Sequence, residues 1–130
     1  IRIPLSNMKL LNSLYNIVSE NQVENGHEFD IKLNPEHFIY QAHFPGEPIT
    51  PGVCIMQIAV ELFEVALNTP IALDCVKNIK FLRIISPNEV TDVKYSLQKI
   101  TKEEGSLKVQ VTVMANEDTY AKLSLVCKER

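Results

Sequence analysis

The chain is 130 residues long, 45% apolar and 22% charged, with a net charge of −3. These values fit one ordinary globular domain, expected to span residues 1–130. No apolar run reaches the ~20 residues of a membrane helix, and no opening stretch has the form of a secretory signal, so a cytoplasmic protein with no membrane partner is expected. Residues 1–65 hold 3 basic against 8 acidic residues and residues 66–130 hold 10 against 8, so neither half has the basic excess that points to nucleic acid. Cys54, Cys75 and Cys127 are odd in number and widely spaced, which suits reduced thiols better than a disulfide framework.

In chain order, Leu5 to Leu14 has loose helical spacing and predicts a short helix. Two strand-like runs follow, Tyr15–Ser19 and His27–Leu33, around a turn at Asn25-Gly26. The second alternates Phe29, Ile31 and Leu33 with Asp30 and Lys32, a period of two. A loop from His43 to Gly52 then carries Pro45, Pro48 and Pro51, a density of proline that excludes helix and stiffens the backbone. Thr50 suits an N-cap and Pro51 a first helical position, so a helix is predicted from Pro51 to about Asn68. It is apolar around most of its circumference and reads as buried on several sides. Strands are predicted for Val76–Ile84, around Val93–Leu97, for Leu107–Ala115 and for Ala121–Cys127, with turns at Glu103-Glu104-Gly105 and Asn116-Glu117-Asp118. One long buried helix with about six antiparallel strands gives an α+β domain whose sheet wraps the helix.

The densest chemical signal runs from His43 to Val53. There a histidine on a rigid loop leads into a helix N-terminus, where backbone N–H groups lack partners and the dipole favours negative charge. Gly52 lets a substrate oxygen approach that backbone. A base at His43 and a donor at the Gly52 N–H would suit proton abstraction beside a thioester carbonyl. A loop histidine that only caps or packs is the alternative.

The spacing His43-Phe44-Pro45-Gly46-x-Pro48-x-x-Pro51-Gly52-Val53 resembles the signature of the bacterial (3R)-3-hydroxyacyl-acyl-carrier-protein dehydratases. Phe81-Leu82-Arg83-x-x-x-Pro87-Asn88-Glu89 is similar to the strand and turn that follow that family's central helix. The resemblance runs from about Tyr15 to the C-terminus. It implies the hotdog fold, an acyl carrier protein as partner, and a substrate carried on phosphopantetheine with no further cofactor or metal. It also implies a homodimer with sites at the subunit interface, higher assemblies of dimers, or a heterodimer. Phe44, Pro51, Gly52 and Val53 would contact substrate.

The family places its catalytic acid 14 residues after the histidine and a glutamine four further on; here those positions are Gln57 and Glu61. An acid can protonate a leaving hydroxyl, whereas an amide can only hydrogen-bond to it. Loss of a positioned general acid costs about 10²–10⁴ in rate, and Glu61 lies one helical turn, ~5.4 Å, away. Three accounts follow. His43 takes the C2 proton and returns it to the hydroxyl while Gln57 holds that oxygen or a water. A partner chain supplies the acid, this chain being a catalytically impaired subunit or acyl-binding module of a heteromeric dehydratase. Or the reaction has become thioester hydrolysis, with Glu61 activating water. Against these, Gln57, Glu61, Glu64 and Asn68 form one polar helix stripe, which reads equally as a solvated or interface edge.

Other candidates are plainer. His37 and Tyr40 suit packing or capping, and His27 shows no partner. Cys54 at the helix start is either activated or buried and inert, the latter favoured by its apolar surroundings. Lys77, Lys80 and Arg83 form a local basic patch, suited to an acidic carrier protein or simply solvated. Ile55, Met56, Ile58 and Ala59 suit an acyl tunnel or an ordinary core.

Overall fold

The computed structural model describes residues 10–42 and 46–130. Its strands follow the alternation of the sequence. In β5 (Ser106–Ala115), Leu107, Val109, Val111, Val113 and Ala115 are buried while Lys108 and Gln110 are exposed. β4 (Asp92–Glu103) and β6 (Asp118–Glu129) follow it in part, with Ser96, Tyr120 and Val126 buried out of phase. With β1 (Tyr15–Val23), β2 (Gly26–Leu33) and β3 (Ile71–Phe81) they form one six-stranded sheet ordered β1-β2-β4-β5-β6-β3, antiparallel at every pairing. The turns Glu104-Gly105 and Asn116-Glu117 have positive φ at both residues, the geometry whose twist matches a two-residue hairpin.

The inner face of this sheet packs on helix α2 (Gly52–Leu67). Ile55, Ile58, Ala59, Leu62 and Phe63 recur at helical spacing and are all buried. Ile58 and Phe63 are weak helix formers, costing up to ~0.7 kcal/mol each relative to Ala. Burying such a side chain contributes roughly 1.5–3 kcal/mol, so packing decides that this segment is helical. Tyr95 adds a polar link, donating from its hydroxyl to the Ile55 carbonyl at 3.0 Å. One buried helix held against an antiparallel sheet is the hotdog architecture.

Several local expectations change. Gly26 is the first residue of β2 rather than part of the turn; a Cβ there would lie 2.0 Å from the Leu97 carbonyl oxygen, so the glycine permits close strand approach. Pro51, extended at ψ 146°, is the N-cap, and Gly52 is the first helical residue. Thr50 does not cap, because its hydroxyl pairs with the Tyr40 hydroxyl at 2.9 Å. The helix expected over Leu5–Leu14 falls outside the described residues up to position 9. From Leu10 onward the chain is a turn and an isolated bridge between Leu11 and Tyr15, with Asn12 at φ 70°. The strand expected at Val76–Ile84 starts earlier and ends at Phe81. It is an edge strand with two register shifts, so Asp74 to Asn78 are all exposed and show no alternation. A single helical turn, α1 (Ile39–Ala42), was not foreseen; the Ile39 N–H donates to the His37 Nδ1 at 3.1 Å to start it.

Burial raises the hydroxyl pKa of Tyr15, Tyr40 and Tyr95 above the usual tyrosine value of ~10. Above about pH 10 the unfolded chain therefore releases protons that the native state retains. Stability present below that pH is lost as pH rises. Alkaline titration followed by ultraviolet absorbance should show these three phenols ionising together with loss of circular dichroism. Ionisation of all four tyrosines in a fully folded protein would contradict this packing.

Candidate functional site

The N-terminus of α2 is built by its approach loop. The Thr50 N–H donates to the Ile85 carbonyl at 2.8 Å, and Pro51 then turns the chain into the helix. The first helical bonds come from Cys54 and Ile55, both to the Pro51 carbonyl at 2.9 and 3.1 Å. Among the described residues, the Gly52 and Val53 N–H groups meet no acceptor, and no acidic side chain occupies the first turn. This end of the helix thus keeps its partial positive charge available.

The ring of Phe81 lies against Gly52, and a Cβ at that position would sit 2.7 Å from the ring edge. Val53, Phe81, Leu82 and Ile84 are large apolar side chains left exposed around this end of the helix. His43 and Phe44 lie outside the described residues. Gly52, Val53 and Pro51 are placed together at the helix start, as their adjacency requires.

Gln57 and Glu61 are joined by a hydrogen bond one turn apart: Gln57 Nε2 donates to Glu61 Oε2 at 2.9 Å. Glu61 is only 3% exposed. Its Oε2 also accepts from the Leu10 N–H at 2.8 Å, and its Oε1 accepts from the Leu11 N–H at 2.9 Å and the Tyr15 hydroxyl at 3.0 Å. A carboxylate has about four acceptor positions, and all are in use. No position remains through which Glu61 could activate a water in this arrangement. Glu64 is likewise tied to the chain, its Oε2 accepting from the Ile71 N–H at 2.9 Å and Arg130 at 3.0 Å. Asn68 is the left-handed C-cap at φ 52°.

Within the polar helix stripe, Gln57, Glu61 and Glu64 are hydrogen-bonded attachment points, while Asn68 at its end is exposed. Tyr15, Leu10 and Leu11 had no sequence signal linking them to Glu61, being 46 to 51 residues away.

The remaining candidates separate from this centre. Burial raises the Cys54 thiol pKa, which disfavours a reactive thiolate. Tyr40 packs against Thr50, and His37 caps α1. His27 lies 3.5 Å from Glu20 without hydrogen-bond geometry. Lys77 and Lys80 are exposed on β3, and Arg83 is 3.8 Å from Asp118. Ile55, Ile58 and Ala59 are buried in the core, with Met56 partly so. A groove of about 580 Å³ is lined by Val18, Asp30, Lys94 and Met114, none of them a residue of α2. Among the described residues, no three His, Cys, Asp or Glu side chains cluster as metal ligands, and no helix is long and apolar enough to cross a membrane.

Gly52→Ala tests the close contact with Phe81. The ring is half exposed, and at the first helical position Ala gains at most about 1 kcal/mol of helix propensity over Gly. Thermal stability is expected to change by less than ~1 kcal/mol. A double-mutant cycle with Phe81→Ala should reveal coupling between the two sites. Strict additivity would contradict the contact.

The sequence profile of the ApeI-like family, described as ApeI dehydratase, matches residues 19–123. The chain is 30% identical over 95 residues to the 3-hydroxyacyl-[acyl-carrier-protein] dehydratase FabZ of Latilactobacillus sakei, covering 68% of each chain. It is 31% identical over 96 residues to FabZ of Clostridium acetobutylicum, covering 68% of this chain and 67% of that one. In structure it resembles the dehydratase heterocomplex ApeI:P from Xenorhabdus doucetiae, with a TM-score of 0.69 at 14% identity over 86% of this chain and 96% of that one. The putative thioesterase yhdA from Lactococcus lactis matches with a TM-score of 0.65 at 11% identity over 90% and 92%. The structural likenesses, at such low identity, speak to the shared fold, and the sequence matches to the family: the chain belongs to the ApeI-like dehydratases, FabZ-related proteins of the hotdog fold.

Proposed function

We propose that the protein dehydrates a 3-hydroxyacyl thioester, carried on the phosphopantetheine of an acyl carrier protein, to the trans-2-enoyl thioester and water. The observation that carries this reading is the pair of N–H groups at Gly52 and Val53, which meet no acceptor among the described residues and end the motif that begins at His43. The thioester oxygen accepts from the Gly52 N–H, which stabilises the charge that develops as His43 removes the C2 proton. His43 then returns that proton to the C3 hydroxyl. The C3–O bond breaks, water leaves, and the C2–C3 double bond forms. Gln57 holds the hydroxyl without itself giving a proton.

A second hotdog chain is proposed to pair along β3, giving a homodimer or a heterodimer. In support, β3 is the terminal strand of the sheet, and Phe81, Leu82, Ile84 and Val53 leave apolar surface uncovered beside it. The name of the ApeI:P complex supports the heteromeric form as a possibility for this family.

The test is enoyl-thioester formation from a 3-hydroxyacyl carrier protein, with sedimentation of the same sample and free acid monitored in parallel. Turnover is expected from a dimer, falling roughly 10²–10⁴-fold in His43→Ala. A folded protein that forms no enoyl product overturns the stand-alone dehydratase. Release of free acid would then identify a thioesterase. Dehydration regained only on adding an acid-bearing homologue would identify a partner subunit, and a monomeric species would remove the β3 pairing.

A further inference from the structure

The four hydrogen bonds to Glu61 determine which end of the Gln57 amide is available for chemistry. Two of them come from the backbone N–H groups of Leu10 and Leu11, which can only donate. Tyr15 donates as well, and burial, reinforced by Glu61's charge and hydrogen bond, raises the pKa of its hydroxyl so that the proton stays on the phenol. Glu61 is thus purely an acceptor. The Gln57 amide, held 2.9 Å from Oε2, must turn its NH₂ toward it, because two facing acceptors would repel. Among the described residues the amide oxygen meets no donor, and the side chain is only partly buried.

We propose that Glu61 is a positioning residue that fixes the polarity of Gln57, so that Gln57 presents Oε1 and acts as a hydrogen-bond acceptor. Resting on the dehydratase reading above, the consequence is specific. The substrate's C3 hydroxyl donates its hydrogen to Gln57, which leaves an oxygen lone pair for the proton returned by His43. The amide oxygen then accepts from the departing water. An acid in this position would donate; this amide receives, and the burden of protonation falls on the histidine. The arrangement relocates a carboxylate from chemistry to orientation within one helical turn.

Tyr15→Phe supplies the structural control, since it deletes a hydrogen bond to the same carboxylate without touching the one to Gln57. The first readout needs no activity: solvent exchange of the Gln57 side-chain NH₂ protons, followed by ¹⁵N NMR on the full chain. One of them is expected to exchange at least about tenfold more slowly than those of exposed Gln41. That protection should persist in Tyr15→Phe and disappear in Glu61→Gln. Fast exchange in the unmodified protein overturns the assigned polarity, even if Glu61→Gln fails to fold. The second readout is the split between kcat and KM for dehydration. Glu61→Gln should lower kcat roughly tenfold with KM little changed, while Tyr15→Phe, though less stable, keeps its kcat. Equal losses of kcat in both variants would reduce Glu61 to a structural role. Absence of dehydration in the unmodified protein would defeat the dehydratase reading and leave the amide exchange to decide the polarity alone.

Discussion

A buried carboxylate with four donors around it is the constraint on which the chain's organisation turns. Glu61 sits in the middle of the central helix, almost without solvent contact, and gathers the backbone ahead of β1, the first residue of β1 and the side chain one turn earlier. Each buried donor that lost this partner would cost roughly 1–3 kcal/mol. Glu64 repeats the device three residues on, tying the start of β3 and the C-terminal Arg130 to the same helix. The helix is thus packed by its apolar residues and addressed by its acidic ones.

This arrangement gives the exchange of Gln57 and Glu61 a physical meaning. A carboxylate at the outer position would be free to exchange protons with a substrate. Moved one turn inward, it meets fixed donors and becomes part of the frame. What remains at the outer position is a neutral amide whose direction the frame controls. Chemistry that needs only one proton-carrying group, shuttled by a single histidine, is compatible with such a site, whereas a mechanism with a separate acid requires another chain to bring it.

How much was legible in the residues follows the reach of each interaction. The strands with one solvated face were readable, because Leu107 to Ala115 alternate cleanly and Ala121 to Leu125 do so up to the buried Val126. β3 was displaced, since an edge strand with bulges exposes both faces and loses its period. The helix was readable to within one residue at its start, where the Tyr40–Thr50 contact diverted the expected cap. The motif from His43 to Val53 could be read from spacing alone, and the structure places its last residues at a helix N-terminus whose first N–H groups meet no acceptor among the described residues. The fate of Glu61 was hidden, because its partners are brought to it only by the folded sheet.

The claim that Glu61 holds the chain's leading segment onto the central helix can be tested without any substrate, by native-state hydrogen exchange at the Leu10 and Leu11 amides. Neither belongs to a named strand or helix, and among the described residues the carboxylate is the acceptor of both N–H groups. The account predicts protection comparable with the amides of β1, lost together in Glu61→Ala while those of α2 remain protected. Exchange of both amides at the rate of an open chain in the unmodified protein would contradict it.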